Sequence, residues 1–395
     1  MAGIISLALA YIMSQFYRSF LAVLAPVLST ELGMSNNAMS QALGAWFIAF
    51  ALFQFAVGPM LDRLGPRITA ASLLLIGGAG GAALFALASA SWMVILAMAM
   101  IGIGCSPVLM ATFFIFRQRF SAARFAVLSS TFIAVGMAGN LLGTSPLAWM
   151  AEAYGWRMVL WGLAAVTALI AIGIMLLVSA SPRKRAGAAS SGSYLDILRI
   201  RDLWPILPVA FFTYAVIANI RGLWAGPFFA QVHGLDATAI GQITFWVAIA
   251  MVAGSLAYGP LDTVFNSRKK VVLAGNLVSL LALVLWALAP GQAMANVTVL
   301  LIVMGFTGTS YGVIMAHGLS FVPADQTGRG ATLLNFCSIG GTGLMQSVSG
   351  FVYDAAASPV DPLAGYVPVL WLYAATLAGA LVIYAFARDV KPNDN

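Results

Sequence analysis

Apolar residues run on for twenty or more positions at a time along this chain, and breaks rich in charges or turn formers separate the runs. There are twelve runs, near 4–30, 38–60, 68–90, 93–116, 125–150, 157–180, 205–232, 238–261, 269–289, 295–321, 329–353 and 365–388. Each is long enough to cross a bilayer as an α-helix. The pattern predicts an all-α polytopic membrane protein of twelve transmembrane helices in two six-helix bundles. One connection is long, 181–204, with Arg183-Lys184-Arg185, then AGAASSGS, then the amphipathic YLDILRIRDLW. It separates an N-terminal bundle, 1–180, from a C-terminal bundle, 205–395, by a cytoplasmic linker.

Polar residues inside the runs are rare. Arg18 sits about halfway along the first run, and a guanidinium keeps its proton at any relevant pH. At the bilayer centre it costs roughly 2.5–3.5 kcal/mol on insertion scales, so it must face protein or a water-filled cavity. Tyr11, Ser14, Gln15 and Arg18 fall at i, i+3, i+4 and i+7, one stripe on a continuous helix, expected to line a solute pathway. The competing reading is a structural Arg bonded to backbone carbonyls of neighbouring helices. The seventh run carries the second deep charge, Arg221, with Tyr214 seven residues before it and Trp224 continuing the face. Gly222, Gly226 and Pro227 would let that helix break locally. An Arg from each half facing one cavity would clamp an anion; otherwise Arg221 is an interhelical structural charge. Tyr311 joins the binding candidates, and Gln54, Asn140, Gln242, Trp246, His317, Asn335 and Gln346 form a lower-grade set. Roughly half of such residues serve as interhelical hydrogen-bonding partners. His317 is either a titrating group or a hydrogen-bonded structural His.

Composition narrows the class. The chain is 62% hydrophobic and 8% charged, with mean hydropathy +0.96, which excludes a soluble globular protein. The +7 balance does not call for nucleic acid, because sixteen of the nineteen Lys and Arg fall on one side when both termini are cytoplasmic. The twelve Asp and Glu all lie in loops, tails or helix ends. That disfavours drug/proton antiport of cations and leaves uniport, anion exchange, or symport with the proton on substrate or His317. Cys105 and Cys337, inside apolar runs, are expected as buried free thiols. The N-terminus lacks a basic n-region, so the first run reads as a retained span. With no phosphate-binding G-x-x-x-x-G-K-S/T loop and only two His, neither ATP drive, enzyme constellation, cofactor nor transition-metal site is expected. The expected partners are a small-molecule solute and the lipid bilayer, and the expected state is a monomer.

The halves repeat at a spacing near 201 residues: Pro26 with Pro227, Gly33 with Gly234, Gln41 with Gln242, Gly58 with Gly259. GPMLDRLGPR (58–67) is echoed by GPLDTVFNSRKK (259–270), which contains Asp262, and RFAVLSSTF (124–132) by RGATLLNF (329–336). In that register Arg18 pairs with Asn219, and Arg221 lies two residues on, about 200° around a helix. Gly58, Asp62, Arg63, Gly65 and Arg67 match G-x-x-x-D-R-x-G-x-R/K, the loop signature of the major facilitator superfamily, which the whole chain resembles. The resemblance implies that this loop, with Asp262 in its echo, gates between halves without touching substrate; Gly58 is expected to allow close helix approach. IGIGCSP (101–107) resembles the end of the family's helix 4 motif, but Met98 replaces the Arg associated with proton antiport. VGMAGNLLGTSP (135–146) resembles the helix 5 glycine motif of antiporters. YRSFLAVLAPVLSTELGMS (17–35) resembles helix 1 of the anion-handling branches, the anion:cation symporters, organophosphate exchangers and nitrate/nitrite-type carriers, where the matching Arg contacts the anion. The leading expectation is therefore a secondary transporter of a small organic or inorganic anion, working by alternating access in a bacterial inner membrane. The alternatives are a carrier of a neutral or zwitterionic nutrient (vitamin, sugar or dipeptide) and a non-transporting, receptor-like member.

Overall fold

The structure is a computed structural model that describes residues 2–119, 128, 132, 135–179, 194–323 and 326–391. Arg124, the Arg183-Lys184-Arg185 cluster, Asp325 and Asp394 lie outside the described residues, as do the side chains of Asp62, Arg117 and Arg119. Every described element is helical. Among the described residues, nine helical stretches are long and apolar enough to cross a membrane, and Ala2–Phe16 with Leu21–Leu32, bent by 53°, make a tenth if taken as one broken span. Of the two remaining runs, 329–353 coincides with a 30-residue helix, Thr327–Ala356, about 45 Å long. The run 125–150 is described only in part. The protein is the all-α, twelve-helix membrane architecture that the apolar pattern predicts.

Internal contacts divide the chain into two compact units, Met1–Ala188 with Ala237–Gln242, and Ala189–Asp236 with Ile243–Asn395. The first turn of the eighth run thus groups with the first unit, where Thr238 Oγ1 donates to Glu152 Oε1 at 2.6 Å. The amphipathic end of the long connection groups with the second, because Ile197 and Leu203 bury themselves against Val322 and Leu333.

The first unit comprises α1 (Ala2–Phe16), α2 (Leu21–Leu32), α3 (Asn36–Leu73), a π-turn at Leu74–Ala79, α4 (Gly80–Ala86), α5 (Ser91–Cys105), α6 (Val108–Arg119), α7 (Ala138–Leu142), α8 (Ser145–Tyr154) and α9 (Trp156–Leu177). The expected continuous first helix is in fact broken at Tyr17–Phe20, so Arg18 lies in a turn and not mid-helix. There the N–H groups of Arg18 and Ser19 bond carbonyls three residues back, Gln15 O at 3.3 Å and Phe16 O at 3.1 Å. Ser19 Oγ also donates to Phe16 O, a side-chain bond that competes with the α-helical ladder. Tyr17, fully buried, shares a 3.1 Å hydrogen bond with Thr167 of α9 and fixes the break in place. Within α3 the chain kinks at Gly65, whose φ of 82° and ψ of 165° only glycine adopts without strain. Gly58 does not serve the close approach expected of it: among the described residues a Cβ there would meet nothing within 4 Å. The close approach lies at Gly102, where a Cβ would fall 2.3 Å from the Trp46 carbonyl, so α5 lies directly on the backbone of α3.

The second unit comprises α10 (Tyr194–Leu198), α11 (Ile206–Asn219), a π-turn at Ile220–Trp224, α12 (Ala225–His233), α13 (Ala237–Val264, after its first turn), α14 (Arg268–Leu288), α15 (Met294–Thr307), α16 (Tyr311–Leu319), α17 (Thr327–Ala356) and α18 (Tyr366–Tyr384). The backbone carries the repeat. Gly33 ends α2 at φ 60° and Gly234 ends α12 at φ 68°; Gly65 and Asn266, again 201 residues apart, take φ 82° and 45°. Asn is among the few side chains that tolerate this region. The helix breaks also correspond, Tyr17–Phe20 in one unit and the π-turn at Ile220–Trp224 in the other.

Candidate functional site

Arg18 stands out for what it does not bond. Its Nε is buried without a partner, and among the described residues none of its donors makes a hydrogen bond or ion pair. The guanidinium carbon instead lies 5.2 Å from the ring centroid of Trp46 and 5.2 Å from that of Phe50. Those rings stack at 5.1 Å, and both are buried on α3. Two π faces hold the cation, an arrangement worth up to about 2 kcal/mol when desolvated, while the N–H edges stay available.

The rest of the stripe lies on α1. Gln15 Nε2 donates to Tyr11 OH at 3.0 Å, which leaves Gln15 Oε1 unpartnered; among the described residues Trp46 Nε1 is likewise buried without a partner. Tyr11 stacks on Phe132 at 5.3 Å. A buried unpaired polar group costs on the order of 1–3 kcal/mol. Arg18 Nε in the turn, Gln15 Oε1 on α1 and Trp46 Nε1 on α3 are such atoms. The sequence put Arg18, Tyr11, Ser14 and Gln15 together but missed Trp46 and Phe50. Their signal was the i, i+4, i+8 face Trp46–Phe50–Gln54, of which only the polar end, Gln54, drew notice.

In the second unit the expected residues have other occupations. Arg221 is 4% exposed, and its Nε donates to the Thr244 carbonyl at 3.3 Å, tying the π-turn to α13. Trp224 donates to Ser349 Oγ at 3.0 Å and packs its ring against Tyr353 and Tyr366. The π-turn inserts a residue between them and Tyr214, so the i+7 and i+10 face reckoned on an ideal helix does not exist. Tyr214 lies instead beside Tyr311, centroids 6.4 Å apart, and Tyr311 OH donates to Asn335 Oδ1 at 2.7 Å. The buried unpartnered polar atoms of this unit include those of Asn219, Ser338 and Gln346, along with Thr213 Oγ1, Asn276 Oδ1 and Trp286 Nε1.

Of the signature-loop residues, Arg63 is exposed and Arg67 Nε is buried without a partner. In the echo, Asp262 pairs with Arg268 at 3.4 Å, and Arg268 Nη1 reaches the Ala316 carbonyl at 3.1 Å and the Ser320 hydroxyl. His317 is the structural histidine of the two readings. The Arg388 carbonyl can only accept, so Nε2 carries the proton toward it (2.8 Å), and in the neutral ring Nδ1 accepts from Tyr384 OH (2.6 Å). Cys105 is buried and Cys337 half-buried, both free thiols.

Comparison with known proteins follows the same lines. The sequence is 22% identical over 381 residues to a probable L-galactonate transporter of Escherichia coli (strain K12), covering 88% of this chain and 82% of that one. A mutant of the nucleoside transporter NupG superposes with TM-score 0.77 at 14% identity over 98% of this chain and 99% of that one. A D-xylose-proton symporter does so with TM-score 0.77 at 16% identity over 97% of each. An inward-facing, occupied bacterial homologue of the human lysosomal transporter Spinster gives 0.74 at 17% identity, over 97% of this chain and 95% of that one. At these identities the structures speak for the fold alone. The sequence pattern of the family matches residues 7–338, most of the chain, and the protein, an integral membrane transporter and not an enzyme, belongs to the Major Facilitator Superfamily.

Proposed function

We propose that this transporter moves a small organic anion, with the anionic group held at Arg18, by alternating access and without ATP. The carrying observation is the state of Arg18: a permanent cation with no counter-ion and no hydrogen bond among the described residues, steadied by Trp46 and Phe50. A carboxylate would satisfy its N–H fork. Similarity to a probable L-galactonate transporter supports a hydroxylated monocarboxylate as the cargo. Tyr11, Ser14 and Gln15 line the same place; in the second unit Tyr214 and Tyr311 are the candidates for solute contact, while Arg221 and Trp224 hold helices together. The loops of Gly58, Asp62, Arg63, Gly65, Arg67 and Asp262 serve gating. The asymmetry of Lys and Arg supports a topology with both termini and the 181–204 connection cytoplasmic, here in a bacterial inner membrane. The protein works as a monomer of two six-helix bundles.

The test is counterflow of labelled galactonate in proteoliposomes. Arg18→Ala is expected to abolish it in a protein that still folds, and Arg18→Lys to restore little, since a point charge replaces a planar fork. Wild-type transport unaffected by excess small carboxylates, or normal transport by Arg18→Ala, would turn the assignment toward a neutral nutrient.

A further inference from the structure

The second unit contains a group of polar atoms that no role above has absorbed. On α17, Ser338, Thr342 and Gln346 recur every four residues and share one face, with Ser349 at its end. Thr342 and Ser349 turn their hydroxyls back onto their own helix, to Ser338 O at 2.8 Å and Gln346 O at 2.9 Å. Gln346 does not. It is 0% exposed, and neither its Nε2 nor its Oε1 has a partner; Ser338 Oγ, on the same face, has none either.

Asn219, the last residue of α11 before the π-turn, meets this face. Its Nδ2 donates to Thr342 O at 3.1 Å, the carbonyl one helical turn before Gln346, and its Oδ1 is buried and unpartnered. The nearby donors are already committed: Trp224 Nε1 and Tyr373 OH both go to Ser349 Oγ, at 3.0 and 3.1 Å. Arg221, two residues on, spends its Nε on Thr244.

A buried amide serving only to join helices would be expected to find a carbonyl or hydroxyl, because nearly all buried polar groups do. Both ends of the Gln346 amide are open, so the conclusion does not depend on which way the amide is turned. Asn219 is also the repeat counterpart of Arg18, 201 residues later, and each sits at the break of the first long helix of its unit. The chemistry differs. Arg18 offers donors alone, whereas the open atoms here are one amide donor, two amide oxygens and a hydroxyl. A carboxylate, which only accepts, would face Gln346 Oε1 and Asn219 Oδ1 with like polarity. A hydroxyl, which donates and accepts, fits them.

We infer that Gln346, Asn219 and Ser338 form an uncharged subsite for hydroxyl groups, and that Gln346 is the residue by which the transporter separates polyhydroxylated acids from plain carboxylates. This rests on the reading that the cargo is a small acid. Sites built to hydrogen-bond a hydroxyl discriminate strongly against analogues lacking it, since their own polar groups are then left unpaired.

The experiment uses the purified full chain and two six-carbon acids, L-galactonate and hexanoate, with affinity read from the ligand-dependent rise in melting temperature. Gln346→Met keeps the length of the side chain and removes the amide. It is expected to weaken galactonate binding about tenfold, to leave hexanoate binding within about twofold, and to melt no lower than wild type without ligand. Ser338→Ala, whose hydroxyl bonds nothing in the structure, gives a second variant that folding cannot confound; about a threefold loss for galactonate alone is expected there. Arg18→Gln should lose both acids. If Gln346→Met and Ser338→Ala bind both acids as wild type does while Arg18→Gln loses them, the subsite is refuted and the anion reading stands. A wild type that binds neither acid overturns both.

Discussion

Replacing Phe50 by Leu tests whether the aromatic pair positions Arg18 or merely surrounds it. Phe50 is 4% exposed, stacks on Trp46 at 5.1 Å and lies 5.2 Å from the guanidinium carbon. Leu fills part of the space but has no π face. The folded protein loses a stacked pair, about 0.5–1.5 kcal/mol, and one cation–π contact, about 0.5–2 kcal/mol at partial burial. The melting temperature should therefore fall by an amount equivalent to about 1–3.5 kcal/mol. Affinity follows a separate route. With one ring gone the Arg18 side chain regains rotamer freedom, which the anion must remove on binding at about 0.5–1.5 kcal/mol. The dissociation constant for galactonate should rise about two- to twelvefold. Phe50→Tyr keeps the face and should leave both quantities near wild type. Measured together by ligand-dependent melting, a Phe50→Leu protein that is less stable yet binds galactonate as tightly as wild type, or more tightly, would refute the pre-organising role and leave the rings as packing.

Gly65→Ala forces a Cβ into a backbone region reserved for glycine and should cost about 1–3 kcal/mol in melting measurements, whereas Asn266→Gly at the repeat position should change stability by under about 1 kcal/mol. Gly102→Ala would put a Cβ 2.3 Å from the Trp46 carbonyl; α5 must shift off α3, and both folded yield and galactonate binding should drop. His317→Ala releases Tyr384 OH and the Arg388 carbonyl together, so the segment after α18 should be cut by limited proteolysis faster than in wild type, with galactonate affinity unchanged.

How much of this was legible beforehand can be judged residue by residue. Twelve runs and their helical state follow from hydrocarbon length and the need to satisfy backbone groups, and both are readable from composition alone. Arg18 was conspicuous because an ionised group in an apolar run is rare. Its setting was not readable, because the stripe through Tyr11, Ser14 and Gln15 presumes an unbroken helix, and the turn at Tyr17–Phe20 is decided by Ser19 bonding Phe16 O. Trp46 and Phe50 were hidden for a statistical reason: in a chain with 24 Phe and 10 Trp, an aromatic pair four residues apart carries little information by itself. Gly58 shows the opposite error, a motif residue given a packing role that its open surroundings do not support.

The duplicated backbone explains why Arg221 drew attention that Asn219 deserved. Positions under conformational constraint keep their register across the halves: Gly33 and Gly234, Gly65 and Asn266, each pair 201 apart with positive φ. Such positions answer to backbone geometry and say nothing about cargo. At the same spacing Arg18 meets Asn219, and here the backbone feature, a helix break, recurs while the side-chain chemistry changes from cation to neutral amide. A search for charge passes over the amide and lands two residues further on, at Arg221, whose Nε is spent on Thr244 O. The two arginines can be separated directly. Arg221→Lys loses a directional bond to a carbonyl but keeps a buried cation, so it should lower the melting temperature and leave the galactonate dissociation constant within about twofold. Arg18→Lys should do the reverse, sparing stability and raising the constant tenfold or more, roughly 1.4 kcal/mol of lost bidentate contact. If Arg221→Lys instead weakens binding as severely as Arg18→Lys at unchanged stability, register has misled and the second charge belongs to the solute site.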